Sequence, residues 1–294
     1  MTFKGNIRKS GNRVTTGGGR GSGGRGGGIA VGGGIGTLVL IGIVWLLGGD
    51  VQDINQILNQ QPAIEQGKDQ NQGERGLDHC DVSDSANKHA DCRVEYTALS
   101  LDKVWGVQLP RQIGMEYVPP AVKVFNGSTG SGCGMASAAT GPFYCPADQT
   151  AYFDVSFFDQ LHRFGAKNAP FAQEYIIAHE FGHHLQHMQG TLSKSNYNEP
   201  GPDSAAVRLE LQADCYAGVW AHFADKGADA FLQPITKQQV ADAMLAAAAV
   251  GDDNIQRRSG GQVRPDLFTH GSSEQRQQAF FTGYSTGNMK ACTL

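Results

Sequence analysis

Apolar residues recur every three to four positions through Ile177, Phe181, Leu185 and Met188, the period of a helix with one buried stripe. Pro170 suits a first helical turn and Gly190 a C-terminal stop, so one helix is predicted between them. The same period puts Val207, Leu211, Cys215 and Val219 on one face of a second helix near 204–224. Thr236 with Gln239 and Ser272 with Gln275 make capping boxes, which open helices near 236–250 and 273–283. A further helix is read around Ser85 to Val107, and strands near Ala121 to Phe125 and Thr150 to Val155. The stretch Ala151–Asp154 suits equally a core strand or a sheet edge to which an extended peptide could add. This order predicts an α+β domain.

Hydropathy separates the first part of the chain from the rest. Ile29 to Gly48 carries no charge and would be about 30 Å long as a helix, the length of a transmembrane span. The first 49 residues hold 18 of the 40 glycines and six basic residues but no acid, so the remainder carries −10 of a total of −4. A basic, Gly-rich arm could suit nucleic acid, but its direct continuation into an apolar stretch points to lipid instead, and no nucleic acid partner is expected. Thr37 to Leu47 also has the length of a signal-peptide core, yet no A-x-A-like cleavage site follows it. The positive-inside rule then keeps the N-terminus cytoplasmic and places the larger part across the inner membrane, in the periplasm or its equivalent. The expected organisation is a cytoplasmic arm at 1–28, an anchor at 29–48, a Gln/Asn/Gly-rich flexible linker at 49–78 and a folded domain at 79–294. Glycines 32–34 and 36 would allow close helix contact in the bilayer, but no pattern specifies an oligomeric state.

The six cysteines agree with an oxidising compartment. Cys80 with Cys92 and Cys133 with Cys145 form local pairs at equal spacing, leaving Cys215 with Cys292. Other pairings are formally open, as is a buried thiol at Cys215, and no Cys-x-x-Cys spacing suggests a cysteine zinc site.

Chemistry concentrates in the first helix, where His179-Glu180-Phe181-Gly182-His183 is an H-E-x-x-H motif. Residues four apart share a helix face, so His179 and His183 can meet one Zn²⁺, while Glu180 lies where it could take a proton from water. A catalytic zinc usually has a third protein ligand. Glu210 and Asp214 share one face of the second helix and would be costly to bury unless engaged, so Glu210 is assigned to the metal and Asp214 to a ligand imidazole. The exchanged assignment is also possible. His184 and His187 turn away from the pair and read as packing or surface residues. Gln186 and Gln189 exclude the metzincin pattern, which needs a histidine at the second of these positions and a glycine at the first.

These features resemble the putative neutral zinc metallopeptidase family of bacterial membrane-anchored proteins. The resemblance rests on the Gly-rich basic start and its apolar segment, Ser131–Gly134, Gly141–Asp148, the HEFGHH helix, Glu210–Asp214 and Thr269–Arg276. It implies zinc held by His179, His183 and Glu210, with Glu180 catalytic. More distantly, Glu-x-x-Ala-Asp and a late His-x-x-x-x-x-Arg are similar to the CAAX-processing zinc peptidases. That similarity implies that His270 helps stabilise a tetrahedral intermediate and that Arg276 belongs to the same group. This chain has Gly271 where those proteins have proline, and one apolar span where they have several.

Together these readings predict a zincin-like domain of gluzincin type behind a single N-terminal transmembrane helix. Its activity would be zinc-dependent hydrolysis of peptide bonds, favouring an endopeptidase acting on a peptide or protein, with Glu180 as general base. Two rivals are a non-hydrolytic envelope binding protein on a peptidase fold and a hydrolase of a non-peptide cell-wall amide.

Overall fold

A computed structural model describes residues 1–17, 77–137 and 140–293. Within them the chain forms β1 (Thr15–Gly17), α1 (Ala90–Ile113), β2 (Ala121–Phe125), β3 (Ser128–Ser131), β4 (Gly134–Ser137), β5 (Phe143–Cys145) and β6 (Thr150–Asp154). There follow α2 (Val155–Phe158), α3 (Pro170–Met188), α4 (Ala205–Ala224), α5 (Lys237–Ala249), α6 (Asp252–Arg258) and α7 (Ser273–Thr286).

The helix ends follow local chemistry. Pro170 occupies the first turn of α3, and Gly190 just beyond its end has φ 68°. The Ser204 side chain caps α4, and both predicted capping boxes form, Thr236/Gln239 on α5 and Ser272/Gln275 on α7. The helix predicted from Ser85 begins at Ala90 instead, after a separate 3₁₀ turn at Ser83–Asn87, and runs on to Gly114, a left-handed C-cap with φ 71°.

The main sheet has the order β1-β2-β6-β5, with β1, β2 and β6 parallel and β5 antiparallel to β6. β6 is therefore internal and buried at every position, and the edge-strand alternative for Ala151–Asp154 is corrected: β1 and β5 are the edges. β3 and β4 pair separately as a two-stranded ribbon. The result is a mixed α/β domain with α3 packed between the sheet and the remaining helices.

Two helix contacts are close enough to need glycine. A Cβ on Gly182 in α3 would lie 2.9 Å from Ala213 Cα and O in α4. Between α4 and α7 the backbones are closer still. A Cβ on Gly218 would come within 2.1 Å of Phe280 O, and one on Gly283 within 1.9 Å of Cys215 O.

All three anticipated disulfides form, Cys80–Cys92, Cys133–Cys145 and Cys215–Cys292, so Cys215 is not a free thiol. The apolar stretch 29–48 lies outside the described residues, and among the described residues no helix is long and apolar enough to cross a membrane. Composition assigns residues 1–28 to a separate arm, but residues 1–17 pack onto the domain: Phe3 and Val14 are buried in its core and β1 extends its sheet. Composition hid this, because the basic side chains that set the segment apart find acidic partners in the fold. Arg13 pairs with Asp102 and Lys9 with Glu95.

Candidate metal centre

One turn of α3 projects His179 and His183 toward α4, and the absence of a side chain at Gly182 lets α4 approach closely enough for Glu210 to reach them. One ligand atom from each of His179, His183 and Glu210 lies within 4.8 Å of the others. The His179 Nε2 to Glu210 Oε2 distance is 3.2 Å and His183 Nε2 to Glu210 Oε1 is 3.6 Å. All three side chains are buried.

The far side of each ring is occupied, which determines where its free nitrogen points. His179 Nδ1–H donates to Asp214 Oδ1 at 2.7 Å, and His183 Nδ1–H donates to Gln186 Oε1 at 2.9 Å. Gln186 is itself oriented by donating its amide to Leu209 O and to Gln212 Oε1, so its oxygen must face His183. Both Nε2 lone pairs then converge on the Glu210 carboxylate. Two lone pairs and an anion sharing one buried point repel each other unless a proton or a cation lies between them.

The surrounding charges favour positive charge at that point. Burial alone would lower the His179 pKa, but the Asp214 carboxylate outweighs it and raises the value to about 10. Burial acts upward on Glu210, yet His183 and His179 hold its carboxyl well below the usual range. Asp214 is fully buried and meets Arg276 from α7 twice, Nε at 2.8 Å and Nη2 at 3.0 Å, while the Tyr175 hydroxyl donates to it at 2.5 Å. Against the upward push of burial, Arg276 and then His179 lower the Asp214 pKa to about 2. Arg276 thus acts through Asp214, from behind His179.

Glu180 is buried beside the pair and is not one of the three convergent side chains. Burial raises its pKa, with the two histidines and the Tyr144 backbone opposing the shift, so its carboxylate is a better proton acceptor than one in water. Tyr144 belongs to β5, so this edge strand runs beside Glu180.

His270 is not part of this convergent group. Its Nδ1 is 3.3 Å from Asp252 Oδ1 and 2.9 Å from Thr269 Oγ1, and its pKa is raised, Asp252 and Glu210 outweighing burial. The Asp252 carboxylate also accepts from the backbone N–H groups of residues 269–271, which secures this turn. His184 is a packing residue, bonded to the Tyr144 hydroxyl and Val118 O, and burial lowers its pKa to about 4. His187 is half-buried against the Tyr144 ring.

Two residues at the centre escaped the sequence reading. Gln186 enters the sequence reading only where the metzincin pattern needs glycine, although glutamine three positions after His183 is a readable partner for its Nδ1. Tyr197 gives no such signal: it lies on the loop after α3, and its hydroxyl donates to Glu210 Oε1 at 3.2 Å. The other grouping of metal-type side chains among the described residues, His79, Cys80, Asp91 and Cys92, contains a disulfide and so offers no thiolate.

A family model described as "Putative neutral zinc metallopeptidase" matches residues 1–294. An uncharacterized protein of Mycobacterium tuberculosis is 45% identical over 222 residues, covering 74% of each chain. The uncharacterized protein YpfJ of Escherichia coli K12 is 34% identical over 267 residues, 88% of this chain and 86% of its own. No solved structure matches.

Proposed function

The chain belongs to the putative neutral zinc metallopeptidase family, and from that premise we propose that it is a zinc-dependent peptidase of gluzincin type, with an endopeptidase favoured. The observation that carries this reading is the convergence of His179 Nε2, His183 Nε2 and the Glu210 carboxylate, with each imidazole turned inward by a partner on its far side. A zinc ion held there supplies Lewis acidity, making water easier to deprotonate and a peptide carbonyl easier to attack.

The remaining work falls to the chain. Glu180 accepts a proton from the attacking water and delivers it to the leaving amine, a task suited to a carboxylate whose basicity burial has raised. Tyr197, whose pKa burial raises far above 10, keeps its proton and can donate to the developing oxyanion. His270 can supply a second donor from the Asp252 turn. The β5 edge beside Glu180 offers backbone groups to an extended substrate. The disulfides support an extracytoplasmic domain, and the apolar stretch 29–48 supports attachment to a bilayer.

Glu180→Gln tests the mechanism. It is expected to bind zinc as the parent does while cleaving a peptide library at least 10²-fold more slowly, roughly the contribution of a positioned base. Cleavage at the parental rate would overturn the role of Glu180. An equal, chelator-insensitive lack of cleavage in parent and variant would favour a binding protein.

A further inference from the structure

We infer that residues 1–17 are an integral part of the folded domain and lie on the same side of the membrane as residues 77–293. This goes beyond the proposed activity and does not depend on it.

The contacts are those of a folded core. Glu95 on α1 is completely buried, and its carboxylate partners all come from this segment: Arg13 N and Val14 N at 2.8 Å each and Lys9 Nζ at 3.4 Å. The Asn87 side chain accepts from Thr2 N and Phe3 N and donates to Phe3 O, closing around one short stretch of backbone. Phe3 is 1% exposed and packs on Tyr96, whose hydroxyl in turn donates to Ile7 O. Backbone bonds join Lys4 to Phe231, Thr2 to Gln233 and Ile7 to Ser83, while β1 pairs with β2 over three residues. Without the segment, Glu95 would keep its carboxylate in the interior without a partner.

This arrangement also weakens the charge argument for an N-in, C-out orientation. That argument counts six basic residues before the apolar stretch, Lys4, Arg8, Lys9, Arg13, Arg20 and Arg25. Two of them, Lys9 and Arg13, are engaged by Glu95 and Asp102 of the domain. If the disulfides fix the compartment of the domain, the N-terminal segment shares it.

The test uses the full chain in cell membranes. The six cysteines are paired, so Ser10→Cys and Lys237→Cys, both at exposed positions, each introduce a single free thiol, one in the segment and one in the domain. A membrane-impermeant maleimide is applied to right-side-out and inverted vesicles. We expect both positions to label in the same vesicle type. Labelling from opposite faces would overturn the inference. A second measurement reads the packing itself: Arg13→Glu should lower the thermal midpoint, Asp102→Arg should restore it in the double variant, and Arg8→Glu, at an exposed side chain, should leave it unchanged. An Arg13→Glu protein as stable as the Arg8→Glu protein would also overturn it.

Discussion

Replacing Asp214 by Asn removes one charge from the site and changes little in shape. In the parent, Asp214 neutralises the buried Arg276 through two hydrogen bonds and accepts the Nδ1 proton of His179. An Asn oxygen can still accept, but the guanidinium is left as a buried charge without a counterion, which costs about 3–5 kcal/mol. For a chain of this size that corresponds to a fall of roughly 10 °C in thermal midpoint. Weakening the partner of a metal-binding imidazole lowers metal affinity by about 10–100-fold. Zinc competition against a chromophoric chelator would measure the second effect, and thermal unfolding of the metal-free protein the first. Asp214→Asn combined with Arg276→Gln separates them: stability should recover in part, zinc affinity should not. The pH dependence has a defined sign. The Asp214 pKa is depressed from 3.8 to about 2, so the stabilisation is complete above the unfolded value and is lost as pH falls toward 2. An Asp214→Asn protein with zinc affinity within two-fold of the parent would refute this account of His179.

Gly182→Ala should force α3 and α4 apart, costing about 1–3 kcal/mol as an overpacked contact and weakening zinc binding; unchanged affinity in a competition titration would show that the spacing is not limiting. Tyr197→Phe should lower kcat by about 10²-fold with zinc content unchanged, if the hydroxyl serves the oxyanion; an equal loss of zinc would assign the hydroxyl to holding Glu210. Glu174, completely buried on α3 with neither carboxylate oxygen hydrogen-bonded, has its pKa raised by burial to about 8. Its neutral form suits the fold, so stability should fall as pH rises from about 4.5 to about 8, and Glu174→Gln should flatten that profile in thermal melts.

The parts of the site legible from sequence are those set by spacing along one helix. His179 with His183, and Glu210 with Asp214, lie on single faces, and the caps of α5 and α7 are spelled out by Thr236 and Ser272. The sheet was less legible because its evidence is short. β5 has three residues, and β3 and β4 are Ser/Gly-rich runs of four without clear alternation. α6, one of the shorter helices, was missed because its first turn, Asp252 and Asp253, serves the loop at 269–273 rather than an apolar stripe. Composition misled at residues 1–17, where glycine and basic side chains outweigh the two apolar anchors, Phe3 and Val14. Tyr197 and Arg276 illustrate a general limit: their meaning comes from which distant residue they face, and no local period encodes that.

The crossing of α4 and α7 at Gly218 and Gly283 is a main-chain contact, with no flexible side chain between the two helices to absorb displacement. A volume change at this crossing therefore has to move a whole helix, and Arg276 moves with it. Laboratory evolution of this protein should find such positions nearly immutable, while variation that retunes the charge behind His179 accumulates at the tips of side chains instead.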